Sequence, residues 1–446
     1  MNMNANPGQL EFINGGWSMN DEAAAHYQDI IDQLSYGMKW LNETFGSCAL
    51  PKIGWQIDPF GHSREQASLF SQMGFDGMFL GRIDYQDKLV REKERTMEMI
   101  WKSSPSLGSK ADMFTGVLPN VYWPPTGFCF DINCWDEPLH ENNIRAKAMD
   151  FIAHVRKQAK TYATNHTIIT MGMDFYFRDA KKWYHNLDKL IQAVNELEPV
   201  ENVRIFYSTP SCYLKSLHES RRRWPTKLDD FFPYADAFNT YWTGYFTSRP
   251  SLKYHIRYAN NILQAAKQLN ALIISPELAS SRHMYSRMPN RKIQKLQEAM
   301  GILQHHDAVT GTCKQAVAND YAQMLMEGIR SGEEAIVEAY DRLWIKEGFI
   351  PITSSLSFCN RLNASVCDVT QSLSGDSDAV VIVYNPIAHP VKHYVRLPVS
   401  SSSGFRIRDA FGAIVSSQVS QQRESRDRAK NSSEGRILPE SVSGFR

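Results

Sequence analysis

In three segments of this 446-residue chain, a strand-like or helical run is followed by side chains that can do acid–base or metal chemistry. In KIGWQIDPFGHS an apolar run over residues 52–57 ends at Asp58, and in TIITMGMDF a similar run over 167–172 leads to Asp174. In QHHDAVTGT, His306 and Asp307 follow a helical pattern. Strand ends form the usual ligand-binding edge of α/β domains, and histidine and aspartate are zinc ligands. These residue types could supply the chemistry of paired carboxylates beside a metal ligand.

Each of these segments also has a purely structural explanation. Asp58 can cap a helix that begins at Pro59. However, Ser63 already offers a cap, with Gln66 as its capping-box partner. Asp174 can be a loop carboxylate, and histidine in a last helical turn interacts well with the helix dipole. Two strand-end acids fit a glycosidase, which needs a nucleophile and a general acid and base, but the pattern alone leaves both explanations open.

A fourth segment, YWTGYFTSRP at residues 241–250, is rich in aromatic side chains. Aromatic faces stack on sugar rings and line apolar pockets. Such residues more often belong to a core, so the segment favours core packing and leaves sugar binding open.

Size and composition bound the classes of function. A chain of 446 residues predicts about three domains, at ~150 residues each, and 43% hydrophobic with 22% charged residues is typical of a globular protein. The formal charge of +1 gives no electrostatic reason to expect nucleic acid or an anionic membrane as a partner. The longest strongly apolar run, residues 379–384, is far shorter than the ~18 residues of a membrane span, so we expect no membrane crossing.

Sequons and cysteine pairs indicate the secretory route. Candidate glycosylation sites are Asn42, Asn165, Asn363 and Asn431. Candidate disulfides join Cys129 to Cys134 and Cys359 to Cys367, with buried free thiols as the alternative. An odd total of seven leaves at least one thiol unpaired among Cys48, Cys212 and Cys313. Because the first residues lack a basic region, an apolar core and a cleavage site, we expect the N-terminus to be missing.

The order of patterns predicts an α/β domain, then helices, then a β region. Strand-like apolar runs occupy residues 52–57, 78–81, 167–172 and 203–208. Apolar residues three and four apart predict long helices over 252–270, 291–305 and 321–344, with a further strand run at 271–275. From residue 349 the pattern is typical of β structure, with strands at 379–384 and 393–397. The stretch from about residue 416 is a polar tail or hairpin.

The four chemical segments occur together and in one order, and that combination resembles glycoside hydrolase family 38, in its lysosomal or vacuolar α-mannosidase branch. The resemblance runs from LEFINGGWSMNDEA at residues 10–23 to the start of the β region. It implies an α/β fold: an incomplete seven-stranded α/β barrel over residues 1–250, a three-helix bundle over 251–348 that completes the active site, and the beginning of a β-sandwich domain over 349–446.

The resemblance also implies an activity and a role for each residue. The family releases terminal α-linked mannose from glycoprotein N-glycans with retention and uses zinc. By motif, Asp58 resembles the nucleophile that also contacts zinc, and Asp174 resembles the general acid and base. His306 resembles a zinc ligand, and Asp307 a sugar-contacting carboxylate. Two further residues, Arg82 in GRID and Tyr122 in PNVY, are similar to substrate-binding residues.

One departure from the family bears on activity. The family's zinc site also uses a His-x-Asp pair on a first strand upstream of LEFINGGWSMNDEA, and Met1 stands just after that point. We therefore expect zinc binding and turnover to depend on that strand. The alternative function is a catalytically silent glycan-binding or scaffold fragment. A metal-dependent amide hydrolase has the same residue types but no recognisable motif here.

The resemblance sets the expected partners and compartment as well. We expect mannose-containing oligosaccharides or N-glycans as partners, without nucleic acid or membrane, in a lysosome or vacuole or after secretion. A homo-oligomer is left open. All these assignments require that Asp58, Asp174 and His306 lie around a single cavity, although they are far apart in sequence.

Overall fold

The structure is a computed structural model that describes residues 10–273, 290–346, 356–359, 367–371, 378–399 and 405–418. The chain divides into two compact units. The first comprises Met1–Asn260 and Arg291–Ile329, and the second comprises Asn261–Asn290 and Arg330–Arg446. Over the described residues, no helix has both the length and the apolar character needed to cross a bilayer.

The first unit is built around a five-stranded sheet. Its strands are β1 (Ile53–Gln56), β2 (Gly77–Leu80), β3 (Glu98–Lys102), β4 (Asp112–Val117) and β5 (Thr226–Lys227). The order is β1-β2-β4-β3-β5, in which only the β3–β4 pair is antiparallel. A small antiparallel pair, β6 (Ala235–Ala237) and β7 (Thr240–Tyr241), lies outside this sheet. A mixed α/β fold with a mostly parallel sheet is therefore confirmed, whereas the seven-stranded barrel, the bundle and the three domain boundaries stay predictions.

The sheet has buried side chains on both faces, as parallel sheets usually do. Every residue of β2 is buried, and Trp101 of β3 is fully buried. Two glycines allow close packing: a Cβ at Gly54 would lie 2.7 Å from the Phe70 ring, and one at Gly81 would collide with the carbonyl oxygen of Ile57. The sheet therefore carries its strand ends, with the residues that follow them, into a tightly packed edge.

Eight helices of the described chain precede residue 260 or begin before it. They are α1 (Tyr27–Phe45), α2 (Arg64–Gln72), α3 (Tyr85–Glu94), α4 (Ile144–Ala159), α5 (Ala180–Glu196), α6 (Glu198–Glu201), α7 (Pro210–Glu219) and α8 (Pro250–Ile273). Side chains cap several of them, including Ser63 for α2, Asp84 for α3 and Asp179 for α5. Each cap accepts a hydrogen bond from an otherwise unpaired N–H of the first turn.

The helices predicted beyond residue 250 are confirmed as helices. They are α8, α9 (Arg291–Leu303) and α10 (Gln315–Lys346), and a short α11 (Asp368–Gln371) follows. In the first unit, α9 packs against α1, where the Tyr36 hydroxyl donates to Glu298 at 2.6 Å. The strand predicted at 271–275 is wrong over residues 271–273, because α8 continues to Ile273. Residues 274 and 275 lie outside the described chain.

Two of the four predicted strands in the first half are wrong. Residues 53–56 and 77–80 form strands as predicted, but 167–172 and 203–208 belong to none. Side-chain amides satisfy backbone groups that a ladder would otherwise need. The Gln158 amide donates to the carbonyl of Ile168 at 2.8 Å, and the Asn195 side chain bonds both the N–H and the C=O of Ile205, at 2.9 Å each.

The predicted β strands in the second unit are also wrong, since neither 379–384 nor 393–397 pairs with another strand among the described residues. Their apolar side chains stay exposed, as Val380 and Tyr394 illustrate. A β-strand needs a hydrogen-bonded neighbour, so β-favouring residue types alone do not form one here. In the described part of the second unit, β pairing is limited to an isolated bridge between Arg408 and Ile414. From residue 419 onward the predicted polar tail lies outside the described residues.

The cysteine pairing follows the sequence spacing. Disulfides join Cys129 to Cys134 and Cys359 to Cys367, so the alternative of free thiols is wrong for these four. Cys48, Cys212 and Cys313 are free. Of the sequons, Asn42 and Asn165 are exposed, whereas Asn363 and Asn431 lie outside the described residues.

Candidate active site

The first candidate acid is held at the end of β1. After Gln56 the chain turns through Asp58 and Pro59 to Gly61, whose φ of 94° favours glycine. The next helix begins only at Arg64, with Ser63 as its cap. Asp58 therefore does not act as a helix cap, and its carboxylate points to partners outside its own segment.

The Asp58 carboxylate lies between a guanidinium and an imidazole. Arg82, just after β2, donates to Oδ1 through Nε at 2.6 Å and through Nη2 at 2.5 Å. The Nε2 atom of His306 lies 3.1 Å from Oδ2. Burial opposes ionisation of Asp58, but the hydrogen bond from His306 and the charge of Arg82 outweigh it and lower the pKa of this carboxyl. Asp58 is thus an ionised carboxylate, held by Arg82 at Oδ1 and by His306 at Oδ2.

His306 is oriented by the backbone on its other side. Its Nδ1 lies 2.9 Å from the carbonyl oxygen of Met19, an acceptor only, so Nδ1 carries a proton and donates. Burial favours the neutral ring, but the contacts with Asp58 and with Met19 outweigh it and raise the pKa of His306. Around it, the Thr310 hydroxyl donates to the His306 carbonyl at 2.6 Å and so closes the turn that follows α9.

Tyr122 and Asp174 form the other part of the cluster. The Tyr122 hydroxyl donates to Oδ1 of Asp174 over 3.4 Å, and Tyr122 is buried whereas Asp174 is exposed. Burial, together with the negative charges of Asp58 and Asp174, raises the pKa of Tyr122 to about 12. Val121, before it, has a φ of 56°, a strained value for a β-branched residue. The charges of both acids thus act on the pKa of Tyr122, although Asp174 is 116 positions from Asp58 in sequence.

Asp307 lies beside His306 with its own partners. The Thr312 hydroxyl donates to its Oδ1 at 2.6 Å, and His305 Nε2 lies 3.5 Å from Oδ2. The hydrogen bond from His305 and, against the effect of burial, that from Thr312 lower the pKa of Asp307 to about 2. Asp307 is therefore a partly exposed, ionised acceptor next to the Asp58–His306 pair.

The aromatic segment after residue 240 packs beneath this cluster. The guanidinium of Arg82 lies 5.2 Å from the centroid of the Trp242 ring, which also contacts Phe60 at 4.9 Å between centroids. Tyr245 is buried and donates its hydroxyl proton to the carbonyl of Phe60 at 2.9 Å. The core interpretation is right for Tyr245, while Trp242 supports a charged residue of the cluster through a cation–π contact.

A buried polar network underneath the cluster joins the Asp58 turn to the start of the chain. Oε1 of Glu22 lies 2.9 Å from His62 Nδ1 and accepts from Gln56 Nε2 at 3.1 Å, and Oε2 accepts from the Ser63 N–H at 2.8 Å. Glu22 and His62 side chains are both wholly inaccessible to solvent. The predicted capping box is therefore only half right. Ser63 caps α2, but the Gln66 side chain accepts a bond from Asn20 and does not bond the Ser63 N–H, which donates to Glu22.

The same segment reaches the His306 turn. The His306 N–H donates to the carbonyl of Met19, and the Asp21 N–H donates to the carbonyl of Gln304 at 2.9 Å. Residues 19–22 therefore connect the two turns that hold Asp58 and His306. Sequence reasoning missed Glu22; the signal was an adjacent pair of acids in a stretch, residues 11–32, that has no lysine or arginine.

The donor set bears directly on zinc. Asp58 Oδ2 and His306 Nε2 are atoms of the kind that bind zinc, and their separation of 3.1 Å is close to that of two ligands ~2.0 Å from one ion. The bond from Nδ1 to a backbone carbonyl is the outer contact that zinc-binding histidines usually make. His305, His306 and Asp307 also form a compact group with ligand atoms within 4.8 Å of one another. Asp58 and His306 therefore fit two positions of a zinc site that takes three or four protein ligands.

Two family models match nearly all of the first three quarters of the chain. Residues 1–237 match the model described as "Glycosyl hydrolases family 38 N-terminal domain". Residues 240–343 match "Alpha mannosidase middle domain". The chain belongs to glycosyl hydrolase family 38. Every member of the cluster described above lies within these two matched ranges.

Relatives in the family are lysosomal and other α-mannosidases. The bovine lysosomal alpha-mannosidase is 48% identical over 422 residues, which is 92% of this chain and 40% of the relative. The human one is 47% identical over 420 residues, and that of Dictyostelium discoideum is 40% identical over 421. This family 38 chain therefore spans about two fifths of the length of these relatives.

Among solved structures, an alpha-mannosidase from Enterococcus faecalis V583 aligns with a TM-score of 0.55 at 17% identity. The alignment covers 74% of this chain and 34% of the bacterial one. At that identity the likeness supports the fold and carries nothing about individual residues.

Proposed function

We propose that this family 38 chain carries the catalytic site of a retaining α-mannosidase that releases terminal α-linked mannose from glycoprotein N-glycans. The observation that carries the proposal is the set of contacts from His306 through Asp58 to Arg82, together with Tyr122, which bonds Asp174 and whose pKa is raised by the charges of both acids. Two carboxylates facing one space is the requirement of glycoside hydrolysis.

Asp58 serves as the nucleophile. Its lowered pKa keeps it ionised in acid, where a nucleophile must still carry charge. Arg82 holds Oδ1, and Oδ2 faces His306. A carboxylate oxygen of Asp58 attacks the anomeric carbon to form a glycosyl ester, while the glycosidic oxygen leaves with a proton from Asp174. By holding Oδ1, Arg82 keeps the carboxylate in place for this attack.

Asp174 serves as the general acid and base. It is exposed, so it can reach the glycosidic oxygen of a bound sugar, and Tyr122 donates to one of its oxygens. In the first step Asp174 donates a proton to the leaving oxygen; in the second it takes one from the water that cleaves the ester. Asp307, with its pKa lowered to about 2, accepts hydrogen bonds from sugar hydroxyls.

Asp58 and His306 would hold zinc, together with ligands beyond this pair. When bound, zinc would supply Lewis-acid chemistry that orients the sugar ring. For its part, the chain holds the His306 ring in the tautomer that leaves Nε2 facing the site, through the bond from Nδ1 to the Met19 carbonyl.

Hydrolysis of an aryl α-mannoside at acid pH tests the proposal. We expect Asp58→Asn to lower kcat/KM by on the order of 10⁴-fold or more, because this change removes the attacking oxyanion. A matched control is Asp84→Asn, which changes a carboxylate that caps α3. Glycan binding that Asp58→Asn leaves intact, in a chain without turnover, would support the alternative of a silent glycan-binding or scaffold fragment.

We further propose a lysosomal or vacuolar location, because relatives 47–48% identical are named lysosomal alpha-mannosidases. The two disulfides and the exposed sequons Asn42 and Asn165 support an oxidising, glycosylating route. Detection of glycans on these two asparagines in protein from the native host tests the route, and unmodified Asn42 and Asn165 would contradict it.

A further inference from the structure

The loop that carries Asp174 has an unusual backbone. Phe175 and Phe177 both have a φ of 64°, in the left-handed region that glycine favours. Such a backbone conformation is strained and persists only where the surroundings hold it. The Tyr176 N–H donates to the carbonyl of Met173, which makes a tight turn directly at Asp174. Something outside the turn must therefore hold these two residues in place.

The carboxylate of Asp131 makes that contact. Its Oδ2 accepts from the Phe177 N–H at 2.5 Å and from the indole N–H of Trp183 at 2.6 Å, and Oδ1 accepts from the Ile132 N–H at 2.7 Å. Asp131 has no solvent-exposed surface. A buried charge with three N–H donors is stable in one arrangement and costly in any other.

The partners of Asp131 are themselves fixed. Trp183, in the first turn of α5, is fully buried, and the Phe177 ring stacks on it at 5.1 Å between centroids. Lys182 donates to the backbone carbonyl of Asp131 at 3.0 Å. On the other side, the Cys129–Cys134 disulfide encloses Asp131 in a short loop. One oxygen atom thus joins the Asp174 turn, a helix and a disulfide loop.

We propose that Asp131 is a positioning residue for Asp174, which holds the turn after the acid in the strained conformation that aims its carboxyl into the site. This inference rests on the proposed role of Asp174. Asp131 itself touches no substrate, because it is buried behind the turn. Its loss would release Phe177 to ordinary backbone angles and swing Asp174 away from Tyr122.

The test uses Asp131→Asn, an isosteric change that cannot present an acceptor at both oxygen positions. The matched control is Asp136→Asn, two residues after the disulfide loop; its Oδ2 accepts the Cys129 N–H at 2.9 Å and has no hydrogen bond with Phe177 or Trp183. The first readout is amide hydrogen exchange in peptides covering residues 170–180 of the full chain. We expect exchange about 10- to 100-fold faster in Asp131→Asn, since a bond to a charged acceptor is lost, and no change in Asp136→Asn. Unchanged exchange in Asp131→Asn overturns the inference, whatever the activity.

The second readout compares leaving groups, which a merely structural role would not distinguish. A misplaced acid slows an alkyl mannoside, which needs protonation, by about 100-fold, but leaves a dinitrophenyl mannoside within about threefold. We expect this ratio to change in Asp131→Asn as it does in Asp174→Ala. If Asp174→Ala alone changes the ratio, Asp131 does not position the acid. If Asp174→Ala leaves the ratio unchanged, the proposed role of Asp174 fails instead.

Discussion

A buried acid in the sheet makes the stability of the first unit depend on pH. Glu98 begins β3 and is 1% exposed; the Tyr213 hydroxyl donates to its Oε1 at 2.6 Å, and its Oε2 has no hydrogen-bond partner in the structure. Burial raises the pKa of Glu98 from 4.5 to about 7, against the weaker effect of the bond from Tyr213. The folded chain therefore binds a proton here that the unfolded chain releases above pH 4.5.

The sign and size of the effect follow from that difference. Because the folded pKa is the higher one, the stabilisation is complete below pH 4.5 and is lost as pH rises through about 7. A difference of about 2.5 units at 1.36 kcal/mol each makes the loss about 3 kcal/mol. Glu98→Gln is uncharged at every pH, so the free energy of unfolding of the variant should exceed that of the parent by about 3 kcal/mol more at pH 8 than at pH 4.5.

Urea unfolding followed by circular dichroism at pH 4.5, 6 and 8, at constant ionic strength, measures this difference. Glu141→Gln changes an exposed glutamate and serves as the control, with no expected pH-dependent difference. A difference in unfolding free energy between Glu98→Gln and the parent that is the same at all three pH values would refute a raised pKa of Glu98. A second buried acid, Asp21, whose pKa burial raises to about 6, keeps some pH dependence in the variant.

Three further changes have defined outcomes. Arg82→Lys keeps a charge but loses the two-point contact with Asp58, so kcat/KM for an aryl mannoside should fall about 100-fold while the melting temperature stays unchanged. A fall in kcat/KM that is accompanied by a lower melting temperature would contradict a positioning role. His306→Ala should weaken zinc affinity by more than the ~10–100-fold typical of losing an outer contact, so the variant should retain little zinc after dialysis against micromolar zinc. Full zinc retention, measured by elemental analysis, would exclude His306 as a ligand. Replacing Cys129 and Cys134 together by serine should cost about 2 kcal/mol of unfolding free energy, and a denaturation midpoint equal to that of the parent would show that the bond adds nothing.

The sequence predicted the strands that are packed on both faces and failed where side chains replace a ladder. Within the predicted runs 52–57 and 78–81, residues 53–56 and 78–80 are largely buried and paired, so pattern and structure agree there. Residues 203–208 have a similar pattern, but the Asn195 side chain binds both backbone groups of Ile205. Only tertiary contacts decide between these outcomes, and no local pattern encodes them.

The candidate site shows the same division. The residues at the strand ends and after α9 were predicted by type, and the structure brings Asp58, Arg82 and His306 into contact. What orients them was not predictable from spacing: the Met19 carbonyl that holds His306 is 287 positions away. Asp131 was likewise missed, because an acid that accepts three N–H groups inside a loop has no pattern that sets it apart from an exposed one.

The central claim is that Asp58 and Asp174 act on one sugar, Asp58 as nucleophile. An activated fluoromannoside, in which fluorine slows the second step, should leave one fluoromannosyl group on the protein. Mass spectrometry of the digested protein should place that group on the peptide containing Asp58, and Asp174→Ala should prolong its lifetime, because the base for the second step is gone. A label on a different carboxylate, or one whose lifetime does not depend on Asp174, would contradict the account.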